Sequence, residues 1–493
     1  MDPTRRDGGG RSAYAGSTTQ RVSTLARRDA RDCADVSTTL LAEPEAVPAL
    51  NVGSPLLGGR LQVRGLLGEG GMGVVYEAFD VERAELVAVK TLAFIDPTEI
   101  YRLKNEFRAI ADVLHRNLVR LHELFVDSGH WYFSMELVEG RRFDRYVRLD
   151  GQLDEQRLRA CLPQLRDGVL AVHAAGKLHR DLKPNNVLVT DGGRVVVLDF
   201  GLVVEPELGG AGHTLDERRI AGTPAYMAPE QAAAEIEGPA CDFYALGVML
   251  FEALTGRLPF PGHGLDVLVT KQQHDPPRVH DVAPDAPDDL AELCDALLVR
   301  APGLRPDAQA LSVRLGSAPA PTIPPRASFV STTHVPLVGR EREREALRAA
   351  YAAARDGDKP VVVLLSGESG IGKSALVDGF LTELASERSA LVLSGRCYER
   401  EAVPYKGFDA VIDALSRFLR RSDEGELARI LPADVWALRR LFPVLARVDA
   451  VADAPERAVP DVQELRQRAF QALGELFARI RTLHTLTIHI DDL

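Results

Sequence analysis

The sequence predicts an α+β domain followed by a partial α/β domain. Three observations support this: strand-like and helix-like apolar periods occur from Leu61 to about residue 316, prolines cluster near residue 320, and a strand, a glycine-rich loop and a helix follow one another from Val361. We expect four segments: a disordered tail (1–55), the first domain (56–316), a proline-rich linker (317–335) and an incomplete second domain (336–493). The tail is rich in Gly, Ser, Thr, Arg and Asp, and has too little apolar surface to offset the entropy of ordering.

The composition narrows the classes of function. Hydrophobic residues make up 45% of the chain, enough for packed cores, and the formal net charge of −12 argues against direct nucleic acid binding by the molecule as a whole. No stretch approaches the ~20 apolar residues needed to span a bilayer. The five cysteines are far apart and form no Cys-x-x-Cys pair, so neither a disulfide framework nor a zinc site is indicated. These features predict a soluble protein of the reducing cytoplasm.

One segment carries the chemistry of the first domain: residues 179–186, with the sequence HRDLKPNN. Asp181 and Asn186 are spaced so that a carboxylate can orient a hydroxyl nucleophile while an amide binds a metal ion on the phosphates. Asp199 follows an apolar run and precedes Phe and Gly, so a strand delivers a second metal-binding carboxylate. This pattern predicts phosphoryl transfer.

A glycine-rich stretch lies upstream, at residues 66–76 (LLGEGGMGVVY). Glycines at a turn between two strands let backbone N–H groups approach phosphate oxygens, although the same pattern alone is equally typical of a simple hairpin. No helix follows it, which argues against a dinucleotide-binding βαβ unit. The next strand, Val87–Lys90, ends in a lysine placed to bind phosphate.

Together these motifs resemble the protein kinase superfamily. The resemblance implies a bilobal kinase fold in which Asp181 is the catalytic base, Lys183 lies beside it as in the serine/threonine-specific branch, and Lys90 binds the α- and β-phosphates. Asn186 and Asp199 would bind Mg²⁺ with ATP. The other ATP-binding positions that it implies are Gly68, Gly70, Gly73 and Val75 in the glycine-rich stretch and the backbone of Glu136 and Val138 at the hinge beside Met135.

The helices of the first domain follow from apolar spacing. An amphipathic helix is predicted between Thr98 and Leu114, and by resemblance its Glu106 pairs with Lys90; a lone helix glutamate is otherwise most often a solvated carboxylate. A second helix, between residues 154 and 175, contains Pro163, which is expected to kink or interrupt it.

The resemblance extends to the segment after Asp199. It implies an activation segment in which Thr214 is an autophosphorylation site that Arg180 recognises, whereas Thr223 is structural. Residues 241–254 are apolar almost all round and predict a buried helix. By resemblance, Asp242 braces the catalytic loop and Arg305 pairs with Glu230.

The second domain contains a complete phosphate-binding loop at residues 367–374 (GESGIGKS). We expect a buried strand at Val361–Leu365 before it and a helix from Lys373 after it, which brings backbone N–H groups to the phosphates. Lys373 would contact the β- and γ-phosphates, and Ser374 and Asp491 would bind magnesium. The loop glycines expected to approach the nucleotide are Gly367 and Gly372.

This loop, with LVGRE at 337–341 and SGRCYEREAVPY at 394–405, resembles the AAA-type signal-transducing ATPases of bacterial regulators. The whole chain therefore resembles bacterial multidomain kinases of the protein kinase K type. In that ATPase class, strands that follow Asp492 flank the strand before the loop. We therefore expect a C-terminally truncated module that does not hydrolyse ATP.

The sequence favours an ATP-dependent serine/threonine kinase acting on protein substrates in a signalling or transcription-regulating protein. Two alternatives belong to other classes: a pseudokinase scaffold that binds ATP without transferring phosphate, and an ATP-driven regulator whose kinase is only its input. The first reading is preferred because the residues on which transfer depends are all present in chain order: Lys90, Glu106, Asp181, Asn186, Asp199 and Glu230.

Overall fold

The structure is a computed structural model that describes residues 50–70, 73–92, 97–199, 224–233, 237–262, 264–316, 339–357, 359–368, 370–386, 390–457 and 461–492. We call residues 50–316 the first region and residues 339–492 the second region. The whole predicted linker (317–335) lies outside the described residues, as do Thr214 and Thr223. Among the described residues, no helix is both long enough and apolar enough to cross a membrane.

The first region opens with an antiparallel sheet. Its strands are β1 (Pro55–Leu56), β2 (Leu61–Gly70), β3 (Gly73–Asp80), β4 (Glu85–Thr91), β5 (Leu121–Asp127) and β6 (His130–Glu136). Their order across the sheet is β1-β2-β3-β4-β6-β5. Helix α1 (Pro97–Ala111) packs on this sheet through Leu103, Phe107 and Ile110, as the predicted apolar stripe requires.

The sheet begins earlier than the sequence predicts. Residues 50–55, assigned above to the disordered tail, belong to the fold: Gly53 donates its N–H to Val63 at 2.8 Å, and Pro55 pairs with Gln62. The prediction is wrong for these six positions because Leu50, Leu56 and Leu57 supply apolar contacts to a small core under the sheet. Residues 1–49 lie outside the described residues.

The rest of the first region is mainly helical. Its elements are β7 (Arg141–Arg142), α2 (Phe143–Val147), β8 (Arg148–Leu149), β9 (Gln152–Leu153), α3 (Glu155–Ala174), β10 (Val187–Val189), β11 (Val195–Val197), α4 (Pro229–Ala232), α5 (Pro239–Thr255), α6 (Leu265–Gln273), α7 (Val279–Val282), α8 (Asp288–Leu297) and α9 (Ala308–Arg314).

Helices α3 and α5 form the centre of this part. Helix α5 is buried along almost its whole length, as predicted. Pro163 does not interrupt α3, in contrast to the expectation, because one lost backbone hydrogen bond is outweighed where Leu158, Leu162 and Leu165 are all buried. The hairpin of β10 and β11 lies against α3 and carries the loop segments of the candidate site at its ends.

The second region is an α/β unit. Its elements are α10 (Glu341–Asp356), α11 (Lys373–Ala385), β12 (Ala390–Arg396), β13 (Glu401–Ala402), α12 (Lys406–Leu419), α13 (Glu424–Ile430), α14 (Val435–Leu441), α15 (Asp449–Ala452), α16 (Val462–Arg481) and β14 (Thr485–Asp491). Strands β12 and β14 pair in parallel, from Ala390 with Thr485 to Arg396 with Asp491.

The expected buried strand at Val361–Leu365 is not formed. These residues have no strand assignment, and their side chains are exposed, with Val362 80% and Leu364 79% accessible. An apolar five-residue run needs neighbouring strands to satisfy its backbone and cover its side chains. No described strand pairs with residues 361–365: strands β12 and β14 form a sheet of two strands.

Candidate active site

The loop between α3 and β10 carries Asp181, which is 6% exposed. Its Oδ2 lies 2.7 Å from Nζ of Lys183 and accepts a hydrogen bond of 3.0 Å from the amide of Asn186. Asn186 also donates to the carbonyl of Asp181 at 2.8 Å. Oδ2 of Asp181 is therefore held by two side chains, those of Lys183 and Asn186.

Asp242 fixes the backbone of this loop from below. It is 1% exposed in the first turn of α5 and accepts hydrogen bonds of 2.8 Å from the N–H groups of both His179 and Arg180. Burial alone would raise the pKa of Asp242, but the hydrogen bond with His173 and the surrounding N–H groups keep that pKa below its usual range. The bracing role expected for Asp242 is confirmed. Arg180 adopts a φ of 65°, a strained conformation of the kind concentrated at functional sites.

Lys90 on β4 and Asp199, which follows β11, form an ion pair. Strand β4 places Nζ of Lys90 2.7 Å from Oδ2 of Asp199, which follows β11 with a φ of 52°. The other oxygen of Asp199, Oδ1, is buried and has no hydrogen-bond partner within the described residues. A buried carboxylate oxygen left unpaired is costly, so this atom fits a cation ligand.

A magnesium ion fits this arrangement. Asp199 offers its free Oδ1, and Asn186 offers the oxygen of an amide whose nitrogen is already committed to Asp181. Hard divalent cations prefer such oxygen ligands, supplemented by water and phosphate. Within the described ranges no group of three or more His, Cys, Asp and Glu residues is placed to hold a metal ion.

Glu106 does not pair with Lys90 in this structure, contrary to the expectation. Its Oε2 lies 3.0 Å from Nζ of Lys177, two residues before the segment 179–186. Lys90 is occupied by Asp199 instead.

The glycine-rich stretch forms the hairpin of β2 and β3. Gly68 lies opposite Val75, and Gly70 lies opposite Gly73. A Cβ atom at Gly73 would lie 2.0 Å from the carbonyl oxygen of Thr91, and Gly73 has a φ of 129°, so only glycine fits there. Gly68 faces open space, which leaves its backbone accessible to a ligand. The turn itself, Gly71 and Met72, lies outside the described residues.

The expected hinge follows β6. Met135 is buried, and Glu136 donates its backbone N–H to Arg120 at 2.9 Å. The Glu136 side chain forms an ion pair of 2.6 Å with Arg194, which lowers its pKa against the opposing effect of burial. Val138, two residues further on, has no regular secondary structure and packs partly buried against the core. The Glu136 ion pair ties the hinge to the β10–β11 hairpin, which the sequence did not indicate.

Two further sets of contacts hold the chain that follows the predicted activation segment, at residues 224–230. Arg305 forms a buried bidentate pair with Glu230, with distances of 2.6 and 2.8 Å, as the resemblance implies. Lys271 of α6 donates to the carbonyl oxygens of Pro224, Ala225 and Met227. Burial lowers the pKa of Lys271 to about 7. Sequence reasoning missed Lys271 because a single lysine on a short helix belongs to no motif.

The phosphate-binding loop of the second region has the expected chemical groups in place. The hydroxyl of Ser374, in the first turn of α11, lies 3.4 Å from Oδ2 of Asp491 at the end of β14, as a shared metal ion requires. Lys373 folds back on the loop and donates to the carbonyls of Gly367 at 2.8 Å and Glu368 at 3.0 Å. Gly372 has a φ of 91°, so a glycine is needed at this turn into α11.

Comparison with known proteins finds two family matches along the chain. Residues 61–313 match the protein kinase domain family, and residues 336–493 match the AAA ATPase domain family. The chain is 33% identical over 325 residues to the serine/threonine-protein kinase PknA of Mycobacterium tuberculosis, a match that covers 62% of this chain and 74% of the relative. It is also 33% identical over 256 residues to PknL of M. tuberculosis, covering 51% of this chain and 63% of the relative. With PrkC of Bacillus subtilis the identity is 34% over 209 residues, covering 42% of this chain and 32% of the relative.

Proposed function

The chain belongs to the protein kinase family, and from this premise we propose that it transfers the γ-phosphoryl group of ATP to serine and threonine hydroxyls of protein substrates. The observation that carries the proposal is the contact of 2.7 Å between Lys183 and Asp181. This contact supports the proposal, because a cation beside the Asp181 carboxylate can stabilise the negative charge of a phosphoryl group transferred there. In chemical terms the chain is a non-specific serine/threonine protein kinase.

Asp181 orients the substrate hydroxyl and takes up its proton. The hydroxyl oxygen forms a bond to the γ-phosphorus, and the bond from that phosphorus to the bridging oxygen of ADP breaks. Lys183 stabilises the negative charge that develops on the transferred group. Asn186 keeps Asp181 in place through the hydrogen bond of 3.0 Å.

The nucleotide is bound by the residues above this loop. Lys90 releases Asp199 and binds the α- and β-phosphates, while the backbone at Gly68, Gly70, Gly73 and Val75 covers them and the hinge at Glu136 and Val138 binds adenine. Asp199 and Asn186 would hold Mg²⁺, which would neutralise charge on the phosphates. Full activity further requires that Glu106 leave Lys177 and reach Lys90.

The second region is proposed as a second nucleotide site, with Lys373, Ser374 and Asp491 as its ligands to phosphate and metal. The proximity of Ser374 to Asp491 supports this. We place both sites in the cytoplasm, where ATP is available, and regard the chain as a signalling protein in which the second region acts on the first.

The direct test is to incubate the purified chain with γ-labelled ATP and magnesium, with and without a general protein substrate such as casein, and to map phosphorylated residues by mass spectrometry. Label on serine and threonine that disappears in the Asp181→Asn variant supports the proposal. Nucleotide binding without any transfer in the native chain would instead favour the scaffold.

A further inference from the structure

The second region adds a strand to the edge of the first region's sheet. Glu401 pairs with Leu124 and Ala402 with Phe125 in parallel, so β13 extends the sheet beyond β5. The N–H of Leu124 donates to the carbonyl of Arg400 at 2.9 Å. The guanidinium of Arg400 in turn donates to the carbonyl of Ala111 at the end of α1. The contact therefore joins the edge strand and α1 to the same short segment.

Helix α1 is bound more tightly still by a buried network of charges. Lys104 lies 2.9 Å from Asp409 and 2.8 Å from Asp413, both on α12. Arg108, one turn further along α1, contacts Glu401 at 2.7 Å and both aspartates at 2.9 Å. We call these five residues the α1 clamp.

The α1 clamp is mostly buried, and each of its members has an oppositely charged partner. Lys104 is 1% exposed and Glu401 is 3% exposed, and the two cations have three carboxylates as partners. Such a network is strongly directional, because moving one member leaves a desolvated charge without its partner. Two aromatic contacts support it: Arg108 lies 4.7 Å from the ring centre of Tyr398, and Arg447 lies 4.0 Å from that of Tyr101 on α1.

The clamped helix is also the helix that carries Glu106. In the clamped position Glu106 binds Lys177, and Lys90 binds Asp199. Lys104 and Arg108 flank Glu106 along α1, so α1 cannot carry Glu106 to Lys90 without straining contacts that the α1 clamp makes. The second region thereby sets the position of a residue that the first region needs for transfer.

We propose that the second region is an intramolecular inhibitor of the first, which binds α1 through Lys104 and Arg108 and holds Glu106 away from Lys90. This inference rests on the proposed kinase activity. It also indicates a path for a signal from the second region: the N–H of Cys397 donates to the carbonyl of Asp491 at 2.9 Å, and the α1 clamp begins at Glu401, a few residues later. A change at the phosphate-binding end of β14 would thus reach the clamp through one short segment.

The test uses the full chain and opens the clamp from the far side. Asp409→Asn with Asp413→Asn removes two carboxylates that lie on the second region, and Glu424→Gln with Asp449→Asn removes two exposed carboxylates of that region as the matched control. Two readouts are taken on each protein: the initial rate of casein phosphorylation, and hydrogen exchange of the α1 amides. We expect the clamp variant to gain at least about fivefold in rate and to lose α1 protection, with the control unchanged.

Arg108→Gln is the second variant, because it weakens the clamp from α1 and leaves the core of the second region untouched. It should also raise the rate. If α1 exchange increases while the rate stays within twofold of the control or falls, the contact exists but does not inhibit. If α1 exchange does not change in either variant, the clamp is not a feature of the protein in solution. Absence of transfer in the native chain and in every variant would overturn the proposed kinase activity itself, and the exchange readout separates that result from the other two.

Discussion

Lys177 binds Glu106 at 3.0 Å, while Lys90, the partner that phosphoryl transfer requires for Glu106, is bound to Asp199 at 2.7 Å. Lys177 thus competes with Lys90 for one carboxylate. Both Lys177 and Glu106 are about one quarter exposed on their side chains, so this ion pair is weak enough to exchange.

The first prediction concerns this competition. Lys177→Met removes the competing cation, and we expect the rate of substrate phosphorylation to rise by about threefold to fivefold, in line with the loss of a partly exposed ion pair of about 1 kcal/mol. Glu106→Gln should lower the rate at least about tenfold, because the amide cannot form the ion pair with Lys90. The double variant should behave like Glu106→Gln; a double variant as active as Lys177→Met would show that Glu106 has no part in transfer.

The second prediction concerns the base. Asp181→Asn is expected to reduce phosphoryl transfer by about 10² to 10⁴, the usual range for loss of a general base, while ATP affinity stays within about threefold, since the nucleotide is bound by other residues. Asp191→Asn, in the exposed turn between β10 and β11, is the matched control and should retain full activity. Isothermal titration with a non-hydrolysable ATP analogue measures the binding. Undiminished autophosphorylation of the Asp181→Asn protein would contradict the mechanism.

The candidate site was predictable from sequence wherever a motif fixes local geometry. Asp181 and Asn186 are five positions apart and in contact. The contacts of Asp242 with His179 and Arg180, and the pair of Arg305 with Glu230, were expected only from the resemblance to protein kinases, because these partners are 62 to 75 positions apart in the chain. The α1 clamp was not predictable, because Lys104 and Asp413 belong to no motif and are 309 positions apart in the chain. The strand expected at Val361–Leu365 failed for a related reason: its apolar pattern is correct, but a strand forms only where neighbours supply backbone partners.

The third prediction concerns Arg180 and Thr214. In the structure Arg180 forms an ion pair of 2.9 Å with Glu237. A phosphothreonine carries more charge than a carboxylate and should displace Glu237, so we expect Thr214 to be autophosphorylated and Thr214→Ala to lower the rate several-fold. Glu237→Gln should weaken the dependence of the rate on Thr214 less than Arg180→Gln does, because Arg180→Gln removes the cation that would bind the phosphate. Full activity of Thr214→Ala, with no phosphate found on Thr214 in the native chain, would mean that Glu237 satisfies Arg180 permanently.

The fourth prediction is a pH dependence of stability. Burial, with the charges of Arg83 and Arg120 nearby, lowers the pKa of His122 in β5 from 6.5 to about 4. Above pH 6.5 the side chain is neutral in both the folded and the unfolded chain. As the pH falls from 6.5 towards 4, the unfolded chain takes up a proton that the folded chain does not, so the free energy of unfolding decreases. At pH 5 this loss amounts to about 2 kcal/mol.

Replacing His122 by leucine should remove that part of the pH dependence. Urea unfolding at pH 7 and pH 5 is followed by the fluorescence of Trp131, which lies in the neighbouring strand β6, in a background in which Trp436 is phenylalanine. The exposed His280, replaced by leucine in the same background, is the control. An equal loss of stability between pH 7 and pH 5 in the native and His122→Leu proteins would show that His122 is protonated in the fold.

The last prediction concerns the phosphate-binding loop. We expect this chain to have no ATP hydrolysis that depends on Lys373, although Lys373, Ser374 and Asp491 are close together. Nucleophilic attack on a γ-phosphate needs the loop to be held rigidly against the sheet, and here the segment before it, Val361–Leu365, has exposed side chains and no strand partner among the described residues. Lys373 itself donates hydrogen bonds to the carbonyls of Gly367 and Glu368, and a bound phosphate would have to replace these bonds.

The assay is phosphate release in the Asp181→Asn background, which removes turnover by the first region, compared with the same background carrying Lys373→Ala. Equal, near-zero rates are expected. Robust hydrolysis that Lys373→Ala abolishes would show that the loop works without a strand at residues 361–365.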